Sequence, residues 1–149
     1  MRTTRTVVFV CLHGSAKSLI AAEHFGRLAA ERRAELRSTS AGMEPDAAIP
    51  PRVVEGLRED GLDVRDRAPR RVTAEELAKA CHVVSFGCDL SGLAPPGVHV
   101  ERWDDVPAVS DGFTVARDAI VMRLKDLLAR CAGPAPLDQT NSVKAGRAP

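Results

Sequence analysis

The chain has 149 residues, enough for one domain with a self-sufficient core. Its 21 basic and 20 acidic side chains leave a net charge of +1, so no long-range field draws in a polyanion, and nucleic acid is not an expected partner. No run approaches the ~18 apolar residues of a membrane span, and Val7 to Leu12 is too short for a secretory signal core; the expectation is a cytoplasmic protein without a membrane partner.

Thr6 to Val10 is a β-branched and apolar run too brief for a helix, and it predicts a buried strand. From Ser18 to Arg32, Ile20, Phe25 and Leu28 recur at near-helical spacing among alanines, which predicts a helix. Leu36 to Ser40 reads as a second strand ended by Ala41 and Gly42. Pro50-Pro51 then opens a helix with Val53, Val54 and Leu57 on one face, closed by Gly61. Thr73 and Glu76 form a capping-box pattern for a short helix to Lys79. His82 to Phe86 and Val98 to Arg102 read as strands. Ile120, Leu124, Leu127, Leu128 and Cys131 mark one face of a long helix from Gly112, stopped by Gly133 and Pro134. The domain is thus expected to span residues 1–132, with 133–149 a flexible tail lacking periodicity.

Strands alternating with helices imply an α/β fold in three α/β/α layers around a four-stranded parallel sheet, with ligands bound beyond the carboxyl ends of the strands. Two groups reach that edge: the segment from Cys11 to Ser18, and Gly87-Cys88-Asp89. The four cysteines, Cys11, Cys81, Cys88 and Cys131, lack the paired spacing of a zinc site, so no metal and no organic cofactor is expected, and each is read as a free thiol. Cys81 begins the strand that Cys88 follows, roughly 20 Å away at ~3.3 Å per residue, and is expected to take no part in the same chemistry.

Cys11-Leu12-His13-Gly14-Ser15-Ala16-Lys17-Ser18 sets a thiol at a strand end, then five residues, a cation and a hydroxyl at the mouth of a helix. First-turn amides have no intrahelical acceptors and carry the positive end of the helix dipole, so Leu12 to Lys17 can cradle an oxyanion such as phosphate, sulfate or arsenate. Gly14 can take positive φ and let successive N–H groups turn inward. Lys17 adds a charge, and Ser18 is expected to cap the helix while hydrogen-bonding the Cys11 sulfur. Cysteines so placed ionise more readily than free thiols, which makes Cys11 the expected nucleophile.

This Cys-X5-Lys-Ser loop, with VVFVC before it and STSAG in the second strand, resembles the low-molecular-weight protein tyrosine phosphatases and the arsenate reductases that share their fold, over about the first 131 residues. The family loop is Cys, five residues, Arg, Ser. The resemblance implies a cysteine nucleophile at Cys11 and oxyanion binding by Lys17 and Ser18. Lys17 keeps the charge of the family arginine but loses its planar two-pronged grip. Gly14 stands for an asparagine, and Ala16 removes a second loop cysteine. His13 beside the nucleophile is expected to be solvated or to support a thiolate.

Family phosphatases protonate the leaving group with an aspartate. In Trp103-Asp104-Asp105-Val106-Pro107 the expected acid is Asp105, with Asp104 second. Val83-Val84-Ser85-Phe86-Gly87-Cys88 resembles the strand end that carries the resolving thiol of thioredoxin-coupled arsenate reductases; their third cysteine is missing here, so an external thiol, small or of the thioredoxin type, would close the cycle. The leading expectation is a hydrolase forming a phosphocysteine on Cys11 from a phosphomonoester. The alternatives are an arsenate reductase using Cys11 and Cys88, and a module that binds phosphate or a phosphorylated protein without turnover. With no tyrosine and few aromatics to wall a ring, a phosphotyrosyl protein is not the favoured substrate.

Overall fold

The computed structural model describes residues 4–132; the tail at 133–149 lies outside the described residues. The elements in chain order are β1 (Arg5–Cys11), α1 (Lys17–Glu31), β2 (Leu36–Gly42), α2 (Pro51–Glu59), α3 (Ala74–Lys79), β3 (His82–Ser85), β4 (Val100–Arg102), a 3₁₀ turn (Val109–Asp111) and α4 (Phe113–Ala132). The strands form one parallel sheet in the order β2-β1-β3-β4. The α/β class and four-stranded parallel sheet are as the sequence predicts.

The differences are local and have physical causes. Ala41 and Gly42, expected to end β2, belong to it, because Val10 and Cys11 pair with them in register. The 3₁₀ turn carries no period in the sequence. Ser18 does not cap α1. The residue at that position is Ala16, without a side-chain cap, and Ser18 is inside the first turn with its hydroxyl on the Cys11 sulfur. Thr73 does cap α3 as expected: its Oγ1 accepts the Glu76 N–H at 3.1 Å, and the Glu76 carboxylate accepts the Thr73 N–H at 2.9 Å.

Two apolar layers flank the sheet because alternate strand residues face opposite sides. Val7, Phe9, Val84 and Trp103 pack with α1 and α4 residues such as Phe25, Ile120 and Leu124; Val8, Val10 and Val83 pack with Leu77 of α3. Among the described residues no helix is long and apolar enough to cross a membrane.

Asp60 at the end of α2 binds the three helices of the thicker layer together. Its carboxylate takes His24 of α1 at 3.0 Å and Arg117 of α4 at 2.5 Å, and its carbonyl accepts Arg27 of α1. Burial pushes His24 below its ordinary 6.5, outweighing the hydrogen bond and charge of Asp60, while Arg27 and Arg117 push the same way as burial. The unfolded chain therefore takes up this proton before the folded one does. The stability His24 contributes is complete above pH 6.5 and is lost as pH falls from there toward the folded-state value. Carboxylates such as Glu101 and Asp63, held at about 2, leave that window undisturbed. Melting curves from pH 8 to pH 5.5 are expected to show a falling Tm that flattens in His24→Gln; an unchanged slope in the variant would remove His24 as the cause.

Candidate active site

The loop from Cys11 to Ser18 takes its shape from the strand beside it. The carbonyls of Cys11, Leu12 and His13 accept the N–H groups of Met43, Glu44 and Asp46 at 3.2, 2.7 and 3.2 Å. With those oxygens turned toward the 43–46 segment, Gly14 adopts φ +66° and its N–H points back to the Cys11 sulfur at 3.2 Å. The Ser18 hydroxyl lies 3.0 Å from the same atom. The Gly14 N–H and the Ser18 hydroxyl thus both meet the Cys11 sulfur inside the loop.

The side chains around the loop are held in turn. Ser15 is buried and donates to Asp46 Oδ2 at 2.7 Å; His13 reaches the Glu44 carbonyl at 3.1 Å and Asp46 Oδ1 at 3.4 Å, so its ring is tethered as well as solvated. Leu12 is exposed at the rim and Ala16 packs against the core. Lys17 sends its ammonium to the Val106 carbonyl at 2.9 Å, tying the loop to the segment that follows β4.

A cavity of about 670 Å³ opens over Cys11, with Lys17, Asp46, Arg52 and Phe86 among its walls. Asp46 and Arg52 were not singled out by sequence reasoning. Asp46 arrives on the turn after β2. Arg52 arrives in the first turn of α2, where Pro50 and Pro51 set the helix start; it donates to the carbonyls of Val109 and Ser110. The paired prolines were the only local signal for Arg52, and no spacing marked Asp46.

Asp104 and Asp105 do not border this cavity. Asp104 accepts the Gly87 N–H at 3.1 Å and pairs with Arg102. Asp105 is 77% exposed and bridges to Arg123 of α4 at 2.7 Å; the hydrogen bond from that guanidinium holds its carboxyl below the usual carboxylate range. Bridged to Arg123 outside the cavity, Asp105 does not stand where a leaving group over Cys11 would need a proton.

Cys88 is buried just past β3, where the Phe86 N–H already pairs with the Val10 carbonyl at 2.8 Å. Ser85 Oγ clasps this turn, accepting the Cys88 N–H at 3.0 Å and donating to its carbonyl at 2.6 Å. Burial pushes the Cys88 thiol up, and the charge of Cys11 nearby pushes the same way. The two sulfurs pack into opposite layers, Cys11 with Phe9 and Cys88 with Val10. All four cysteines are free thiols, and Cys81 is exposed just before β3, at the far end of that strand from Cys88.

Residues 6–95, from β1 past the turn that holds Cys88, match the low molecular weight phosphotyrosine protein phosphatase family. The chain belongs to that family. Its members include phosphatases and arsenate reductases, and the relatives span both. A Halobacterium salinarum protein assigned as an arsenate reductase is 29% identical over 124 residues, 80% of this chain and 87% of that one. The thioredoxin-dependent arsenate reductase Cg_ArsC1' of Corynebacterium glutamicum is 26% identical with a TM-score of 0.72, over 85% of this chain; the match spans 61% of that protein's length. The low molecular weight protein tyrosine phosphatase of T. tengcongensis, at 18% identity and a TM-score of 0.76 over 85% of this chain and 99% of that one, shares the fold.

Proposed function

We propose that this family member is an arsenate reductase in which Cys11 is the nucleophile and Cys88 the resolving thiol. The observation that carries the reading is that Cys11 and Cys88 follow the same ends of two paired strands, β1 and β3, while Asp104 and Asp105 are drawn off to arginines. The relatives assigned to arsenate reduction support the same choice. The Cys11 thiolate attacks arsenic, and water leaves with a proton from solution, giving a sulfur–arsenic bond. The Cys88 thiolate, its proton given to solvent, then attacks the Cys11 sulfur: the S–S bond forms, the S–As bond breaks, and its electron pair leaves on arsenic as arsenite. An external dithiol of the thioredoxin type, or two small thiols, returns the disulfide to thiols and is itself oxidised. Gly87, at φ +82° with open space beside it, is where the chain turns so that Cys88 can cross from its layer to the Cys11 side. A reducing, cytosolic compartment fits this chemistry, since both sulfurs must start as thiols.

The test is arsenate-dependent oxidation of a dithiol. Cys88→Ser is expected to lower steady-state turnover by ~10²-fold or more, with phosphate binding at the Cys11 loop unchanged. Turnover undiminished in Cys88→Ser would sink its assigned role.

A second reading, phosphomonoester hydrolysis through a phosphocysteine on Cys11, is favoured by one observation: Asp46 stands in the Cys11 cavity beside apolar walls formed by Pro50 and Val109. In that scheme Asp46 takes the place expected of Asp105, and Lys17 and Ser18 hold the oxyanion. Aryl-phosphate hydrolysis that falls in Asp46→Asn, with no arsenate-dependent thiol oxidation, would select it. A chain inert in both assays that still binds phosphate would be a binding module.

A further inference from the structure

The end of the sheet remote from Cys11 carries a second cluster of chemically capable side chains. Val83 and Val84 of β3 pair with Val100 and Glu101 of β4, so one step back along both strands places His82 opposite His99. Side chains alternate across a sheet, which puts His82 on the face of Val84 and His99 on the face of Glu101 and Trp103. That is the face covered by α4, whose Arg130 reaches Glu101. The imidazole rings of His82 and His99 lie 5.3 Å apart, and His82 Nε2 is 2.8 Å from Glu101 Oε1. One donor atom from each of the three residues lies within 4.8 Å of the other two.

We propose that His82, His99 and Glu101 form a binding site for a divalent transition-metal cation of the Zn²⁺ type. Two imidazoles and a carboxylate suit zinc and its neighbours, whereas Mg²⁺ and Ca²⁺ prefer oxygen throughout. Metal–ligand bonds of ~2.0–2.2 Å in a tetrahedron put donor atoms ~3.3 Å apart. The His82–Glu101 contact need open by only about half an ångström, and His99, exposed on the turn before β4, closes from the other side. The fourth position faces solvent and takes water.

The carboxylate is already prepared. Trp103 Nε1 donates to Oε2 at 2.8 Å, and Arg130 bridges both oxygens at 3.0 and 3.1 Å, fixing the carboxylate plane as outer partners of a metal ligand do. The same guanidinium repels an incoming cation. Because Arg130 is half-exposed and screened, it limits affinity to an intermediate range without closing the site. His82 pairs in register with Val7, four residues before Cys11, or roughly 13 Å along the strand, so the metal would not enter the thiol chemistry. It would join β3 to β4 and, through Arg130, to α4.

Zn²⁺ titration of the whole chain by calorimetry is expected to give one bound ion. His99→Gln, at an exposed position, is expected to weaken it at least about tenfold, and Cys11→Ser to leave it unchanged. Imidazole nitrogen spectra supply a readout that does not depend on a variant: Zn²⁺ is expected to shift the His82 and His99 rings together and leave His24 in place. Wild-type affinity in His99→Gln, or shifts confined to other histidines, would overturn the site. So would a cobalt–thiolate absorption band on Co²⁺ loading, since Cys81, just before β3, and Cys131, near the end of α4, lie near this end of the sheet.

Discussion

Replacing Cys11 with serine is expected to lower arsenate-dependent thiol oxidation, or phosphomonoester hydrolysis if that is the reaction, by about 10³-fold or more while leaving the fold intact. The sulfur is the only group in the cavity that both schemes require to form a bond. A serine hydroxyl in its place could still accept the Gly14 N–H and face Ser18, which are the contacts the sulfur makes now. The side chain is buried, and the exchange hardly alters its volume, so Tm is expected to move by no more than ~4 °C. Activity is to be followed in both assays with circular dichroism as the control for folding. A folded serine variant with wild-type rates would remove Cys11 from the chemistry and take both catalytic readings with it.

The largest expected effect on stability comes from Gly42→Ala. A β-carbon at Gly42 would lie 2.6 Å from the Gly14 nitrogen and 2.7 Å from the His13 carbonyl carbon, well inside any real contact, and both are backbone atoms. Gly42 cannot retreat, because its N–H donates to Arg70 and its carbonyl accepts Val72 on the far side. The clash must therefore move the loop. Such overpacking costs about 1–3 kcal/mol, to be read as a lower midpoint in urea. Displacing the Gly14 N–H from the sulfur is also expected to weaken phosphate binding by ~10-fold or more, since anion sites tolerate little misplacement. An alanine variant that melts and binds phosphate as the wild type does would show that the two backbones separate freely.

What could be read in the chain beforehand was what lies close together along it. Cys11, Gly14 and Ser18 converge because a strand end, a tight turn and a helix start follow one another within a few residues. The parallel sheet followed from alternating strands and helices by the same local logic. Asp46 and Arg52 are not legible in this way because they enter the cavity from the segment after β2, and nothing in their neighbours marks them as facing a cysteine far earlier in the chain. Asp105 was expected at the site because it sits near the family position of an acid. Its bond to Arg123 depends on how α4 crosses the sheet, which periodicity alone does not fix. The His82, His99 and Glu101 group was invisible for a related reason: metal-ligand spacing is a pattern along one chain segment, whereas these donors meet through strand register.

The pinned carbonyls of Cys11, Leu12 and His13 carry a thermodynamic consequence. A loop already braced from outside has little freedom left to surrender when an anion arrives, so the entropic toll of docking falls on the ligand and its water rather than on the polypeptide. In the oxyanion cradle proposed above, selectivity among tetrahedral anions would then rest on size and charge, because a braced loop does not reshape itself around each visitor.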